Sequence, residues 1–156
     1  MKEIERKFLV TRKGVVSGHR SLRVCQGYML SENGGDARVR IENDEKAFLT
    51  IKKRSTGISR WEFEYPVPVE DAKIMLNALC EGRIVEKNRY LISYKGRLWE
   101  VDVFAGENRG LIVAEVELDS EDQPFEKPPW AGEEVTEDPR YLNKNLAVHP
   151  FREWNS

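Results

Sequence analysis

Apolar and polar side chains alternate along most of this chain, and turn residues interrupt the alternation at short intervals. In Met1–Val10, Glu3, Glu5 and Lys7 share one face of an extended strand. Ile4, Phe8 and Val10 share the other, with Arg6 breaking the apolar run, because successive strand side chains point to opposite faces. Leu22–Ser31 is strand-like through Val24, Tyr28 and Leu30, although Gly27 weakens it. Asn33-Gly34 within 32–36 marks a hairpin turn. Strict alternation follows in Ala37–Glu42, a turn is expected at Asn43-Asp44-Glu45, and a strand at Ala47–Lys52. Ser59–Pro66 places Trp61, Phe63 and Tyr65 opposite Arg60, Glu62 and Glu64. One stretch, Val69–Glu81, has helical period instead, with Ile74, Ala78 and Leu79 near one stripe and Met75 and Leu76 beside it. Strands resume at Ile84–Tyr94, Arg97–Phe104 and Leu111–Leu118, the first two joined by Lys95-Gly96. Residues 11–19 read as loop with a short helical turn, and Asp119–Gly132, with Pro124, Pro128 and Pro129, as irregular surface chain. Pro139 opens a short helix over Tyr141–Ala147. Roughly eight strands joined mostly by tight turns argue for an antiparallel sheet large enough to close.

Composition narrows the picture. The 156 residues suit one domain, 1–156, with no linker or repeat. Charged residues are 33% of the chain, above the usual ~25%, yet the net charge is only -2. The signs nearly cancel, so no global field draws nucleic acid or a membrane surface, and any polyanion site must be built locally. Cys25 and Cys80 lack metal-ligand or redox spacing and read as reduced, buried thiols. The charged N-terminus has no apolar leader core, and no apolar run approaches ~18 residues. A cytoplasmic location is expected.

The charged face carries the chemistry. An ordinary half-solvated sheet mixes Ser, Thr, Gln and Lys on its polar side. Here the polar positions are almost all ionised and sorted by strand: Arg38 and Arg40, Lys52, Lys87 and Arg89 on some, Glu3 and Glu5, Glu62 and Glu64, Glu100 and Asp102, Glu115 and Glu117 on others. Carboxylate oxygens suit hard cations such as Mg²⁺ or Mn²⁺, and Lys and Arg suit phosphate. Sorting by sign fits a ligand that is a polyanion accompanied by cations. Gly-rich phosphate loops, serine nucleophile elbows and zinc patterns are absent from the sequence.

Glu3-x-Glu5-x-Lys7, followed in order by Arg38-x-Arg40, Thr50-Ile51-Lys52, Arg60-x-Glu62-x-Glu64, Lys87-x-Arg89, Glu100-x-Asp102 and Glu115-x-Glu117, resembles the motif series of the CYTH superfamily, the triphosphate tunnel metalloenzymes. The ending Val135–Tyr141 with Leu146-Ala147 is similar to its short bacterial members. The resemblance implies an α+β fold: a closed eight-stranded antiparallel β-barrel with a polar interior, the triphosphate tunnel, and helices packed outside. It also implies divalent-metal-dependent hydrolysis of a triphosphate. Inorganic tripolyphosphate is the expected substrate, since the short chain shows no inserted base-recognition segment. The alternatives are a thiamine triphosphatase, an adenylate cyclase or an RNA triphosphatase of the same superfamily, or a polyphosphate- or nucleotide-binding module without turnover.

Mapped onto this sequence, Lys7, Arg38, Arg40, Lys52, Arg60, Lys87 and Arg89 would grip phosphate. Glu3, Glu5 and Glu117, with Glu115 close by, would hold the principal Mg²⁺ or Mn²⁺. Glu62, Glu64, Glu100 and Asp102 would hold a second cation or fix the basic residues in place. Lys7 and Lys87 are the candidate catalytic groups for proton transfer. A homodimer is possible; no nucleic-acid or membrane partner is expected. His19 and His149 read as surface residues and Trp61 and Trp99 as core. Trp130 and Trp154, in loop and tail, are positioned where a ligand or partner could touch them, and Lys53 points outward from the strand that turns Lys52 inward.

Overall fold

The computed structural model describes residues 2–29 and 35–154. The expected Asn33-Gly34 turn lies outside them. Eight strands, β1 (Lys2–Leu9), β2 (Ser21–Met29), β3 (Gly35–Glu42), β4 (Lys46–Arg54), β5 (Ser59–Val67), β6 (Ile84–Tyr94), β7 (Arg97–Phe104) and β8 (Ile112–Glu117), form a closed antiparallel barrel in the order β1-β5-β4-β3-β2-β6-β7-β8. The tight turns follow from backbone handedness. Asn43 and Asp44 have φ of 52° and 56°, and Lys95 and Gly96 have 49° and 79°, the left-handed pairs that match a twisted hairpin.

The barrel is inverted, with its charge inside and its core outside. Phe8, Trp99, Val101, Ala114 and Val116 point outward and are buried under chain from elsewhere. The irregular stretch after β8 provides that cover. Phe125 and Trp130 lie 5.9 and 5.6 Å from the Trp99 ring, centre to centre, and Trp99 is fully buried. Trp130 is therefore part of the core packing. Trp154 packs at the C-terminal end against Tyr141 and Phe151, both at 5.1 Å.

The seam between β1 and β5 is short, running only from Lys2↔Trp61 to Ile4↔Ser59. Beyond it the chain after β8 takes over. Gly132 N and Val135 N donate to Leu9 O and Lys7 O, and Lys7 N donates to Thr136 Oγ1. Both backbone groups of Lys7 are fixed in this way on the side away from β8.

Helix α1 (Val69–Ala78) covers β2, β3 and β4. It ends three residues before the sequence pattern expects, because Glu81 and Gly82 take left-handed φ of 49° and 80°, which no α-helix continues. Its buried stripe also differs from the expected one. Ala72, Leu76 and Cys80 pack on Val39, Ile41 and Ala47, an i, i+4, i+8 row, while Ile74 and Leu79 are 65% and 51% exposed. Trp61 is a second correction. It sits at 44% exposure in a strip with Ile51, Phe63 and Tyr65 on the outer face of β4 and β5, beyond the reach of α1. Alternation fixes which way these side chains point, and the number of covering elements decides whether they are buried. Cys80 is buried and Cys25 half-buried, both as free thiols. His19 and His149 are exposed. Among the described residues no helix is long and apolar enough to cross a membrane.

At one end the inward positions turn apolar. Tyr28, Val85, Phe104 and Val113 meet Tyr141 and Leu146 from the C-terminal segment, which carries a one-turn helix, α2 (Asn143–Leu146). This places α2 at the barrel's end, where the resemblance puts helices on the outside.

Gly27 lets α1 approach this closely. A Cβ there would lie 2.6 Å from both Cys80 Sγ and Leu76 Cδ2. Gly27→Ala is expected to lower stability by about 1–3 kcal/mol through overpacking, measured by urea unfolding. In a Cys80→Ala background the loss should shrink, because the clashing sulfur is gone.

Candidate functional site

The strand register brings the charged positions together. Arg38 and Arg40 on β3 stand opposite Thr50 and Phe48 of β4, and Lys52 stands opposite Glu62 and Asp36. Between β1 and β8, Glu5 faces Glu117 and Lys7 faces Glu115, and Glu100 of β7 faces Glu115 from the other side. One cavity of about 200 Å³ is lined by Glu3, Glu5, Lys7, Arg38, Arg40, Lys52, Arg60, Glu62, Glu64, Lys87, Arg89, Glu100, Glu115 and Glu117. Of the residues singled out from sequence, only Asp102 is missing from this lining.

Asp102 stands directly behind it, completely buried. Its oxygens accept from Arg89 Nε at 2.8 Å and Nη2 at 2.9 Å, and Lys87 Nζ is 2.9 Å away. Burial alone would raise its pKa, but Arg89 and Lys87 pull it far below the usual carboxylate range. Asp102 thus fixes the basic residues. Burial pushes Lys87 down to about 8, against the pull of Asp102 and with help from Arg89.

Other acids are paired more loosely. Lys52 Nζ lies 2.8 Å from Glu3 and 3.4 Å from Glu62. Arg40 is 3.1 Å from Glu42 and 3.5 Å from Glu64, and Arg89 is 3.1 Å from Glu100. Burial and neighbouring Arg38 both work against the charged form of Arg40, lowering its pKa, and the buried Nε of Arg38 has no acceptor among the described residues. Against its burial, Tyr28 and Glu3 favour the charged form of Arg38, raising its pKa, and two adjacent guanidinium groups are chemically suited to the oxygens of a phosphate.

Glu5, Glu115 and Glu117 are the least neutralised acids. Lys7 approaches Glu5 and Glu115 only to 3.8 and 3.7 Å, and Glu117 makes no ion pair among the described residues. Burial, then Glu5, raises the pKa of Glu115; burial, then Glu3 and Glu5, raises that of Glu117. Burial and Glu115 likewise raise Glu100, with Arg89 opposing. Among the described residues no three such acids already form a cation cage. The donor chemistry nevertheless fits a hard divalent cation, since the group is all carboxylate oxygen and its members destabilise one another as anions.

Sequence reasoning missed several lining residues. Asp36 extends the 38-40-42 period backwards and was detectable that way. Tyr28, and Gln26 behind it, continue the inward face of β2, where neutral side chains gave no signal. Leu142, just before α2, and Asn143 and Lys144 within it reach the cavity, and local pattern could not place them there.

Among known proteins, a family model described as the CYTH domain matches residues 1–149. An inorganic triphosphatase of Acetivibrio thermocellus is 48% identical over 151 residues, covering 97% of this chain and 96% of that protein. An inorganic triphosphatase of Nitrosomonas europaea is 44% identical over 152 residues, covering 95% and 98%. A solved structure of an inorganic triphosphatase superposes with a TM-score of 0.68 at 41% identity over 94% of each chain. The matched span includes every strand of the barrel and every lining residue, and the chain belongs to the CYTH domain family.

Proposed function

We propose that this protein is a metal-dependent hydrolase of inorganic tripolyphosphate, releasing phosphate and diphosphate. The observation that carries this reading is the convergence of basic side chains from five strands with a carboxylate cluster in one closed barrel interior. Its volume, about 200 Å³, is below the ~300–1,000 Å³ of pockets that enclose drug-sized ligands. That favours a bare phosphate chain over thiamine triphosphate or a cyclase substrate buried with its base. Two inorganic triphosphatase relatives at 48% and 44% identity agree with the same choice.

Arg38 and Arg40 would grip the phosphate oxygens as forks, with Lys7, Lys52, Arg60 and Arg89 completing the cationic wall. Glu5, Glu115 and Glu117, with Glu3 beside them, would hold Mg²⁺ or Mn²⁺. Glu62, Glu64 and Glu100 border it as candidates for a second ion. A cation held there would supply neutralisation of phosphate charge and a lowered pKa for water. Lys87 would take the proton from the attacking water and Lys7 would balance charge on the transferring phosphoryl group.

A phosphate-release screen over tripolyphosphate, ATP, GTP and thiamine triphosphate tests this reading. Tripolyphosphate should be the fastest substrate, EDTA should abolish turnover, and Mg²⁺ or Mn²⁺ should restore it. Full activity in metal-free protein, or faster release from a nucleotide, would refute it.

Raised carboxylate pKa values predict a second behaviour. A folded-state pKa above the unfolded one means the native state binds more protons, so stability falls as pH rises through that interval. In metal-free protein Glu117→Gln should therefore raise the Tm at neutral pH, and the gain should shrink as the pH is lowered and wild-type Glu117 protonates. The same variant should lose about 100-fold in kcat/KM.

Lys87 sets the third. A base works in its neutral form, which becomes dominant above a pKa of about 8. The wild-type kcat should rise with pH through that region and level off above it, and Lys87→Ala should lose this limb.

A further inference from the structure

Lys87 reaches the cavity from β6 with its ammonium held at two points. One is Asp102 Oδ2 at 2.9 Å, and the other is Asn143 Oδ1 on α2, also at 2.9 Å. Asn143 is itself held from behind. The same Oδ1 accepts from Gln26 Nε2 at 3.0 Å, and Gln26 Nε2 spends its other hydrogen on Tyr28 Oη at 2.8 Å. Gln26 is 1% exposed, and the one-turn helix that carries Asn143 is anchored by the fully buried Leu146.

This arrangement leaves no freedom of sign. An amide offers an acceptor on one side and two donors on the other, and a lysine ammonium has three donors and no acceptor. Both groups facing Asn143 are donors, so its oxygen must point at Lys87. With two ammonium hydrogens directed at Asp102 and Asn143, tetrahedral geometry fixes the third. That hydrogen has no acceptor among the described residues, and the lysine lines the cavity.

We propose that Asn143, backed by Gln26, is a positioning residue that aims the remaining N–H bond of Lys87 into the tunnel. When Lys87 is neutral, its lone pair can occupy the same direction, which is what abstraction of a proton from water requires. The inference rests on the hydrolase reading above and adds the group that orients its base. Asn143 is not a catalytic residue, because it acts through Lys87.

The test is a mutant cycle on tripolyphosphate hydrolysis with Mg²⁺, comparing wild type, Asn143→Ala, Lys87→Ala and the double variant. Misaiming a catalytic group should lower kcat about tenfold or more while KM stays within about threefold. The loss should vanish in the Lys87→Ala background. Gln26→Leu reaches the same lysine from β2 and should reproduce both results, which keeps the test intact if Asn143→Ala fails to fold. A loss that persists undiminished in Lys87→Ala, a rise in KM at unchanged kcat, or Asn143→Ala and Gln26→Leu variants with wild-type kcat would overturn the positioning role while leaving the hydrolase reading in place. A wild-type enzyme inert toward tripolyphosphate, or Lys87→Ala with wild-type kcat, would instead overturn the parent reading and this one with it.

Discussion

The buried group formed by Asp102, Arg89 and Lys87 is the interaction on which the rest of the site depends. A carboxylate with no exposed surface is tolerated only when its lone pairs are filled by charged donors, and here the neighbouring strand supplies both: Arg89 and Lys87 from β6 to Asp102 on β7. The pairing fixes two of the cations lining the cavity before any ligand arrives. Removing one member would leave an uncompensated charge inside the barrel wall, so the arrangement is as much a constraint on folding as a device of the site. The same burial acidifies Lys87, so structure and chemistry draw on one source.

Inversion of the barrel has a cost elsewhere. A period of two must place something apolar on the outer face wherever the inner face is charged. The chain after β8 and α1 cover β6, β7, β8, part of β1, and β2 to β4, where Trp99 and Val39 are fully buried. Phe63 and Tyr65 are left about half exposed, because the alternation that makes the tunnel continues past the elements able to cover its outside.

The barrel was readable from sequence because its signal is local. Alternating charge over short strands, broken by Asn43-Asp44 and Lys95-Gly96, names the strands and the inner face together. The inner positions of β2 were silent because Gln26 and Tyr28 carry no charge. The stripe of α1 was misread because helical period allows several neighbouring rows, and the close approach over Gly27 selects the one led by small Ala72. Asn143 and Lys144 could not be placed at all. They reach the tunnel through a fold-back whose anchors, Leu146 and Tyr141, look like any apolar residues in a short helix.

The balance of charge in the cavity gives its own reason for a cation. Among the described residues the lining carries eight basic side chains, counting Lys144, and eight acidic ones, counting Asp36, with Asp102 a further acid behind it. A triphosphate brings several negative charges, and a wall with no net positive charge cannot compensate them by simple attraction. Arg38 and Arg40 attract the anion locally, but Glu5, Glu115 and Glu117 stand within the same cavity and repel it. Divalent cations at those carboxylates would reverse the sign of that repulsion and relieve the repulsion among the acids at the same step. A tunnel built only to hold polyphosphate would do better with neutral residues at these three positions. Retaining the acids sacrifices affinity for the bare anion, and that sacrifice is intelligible if the anion enters together with its metal.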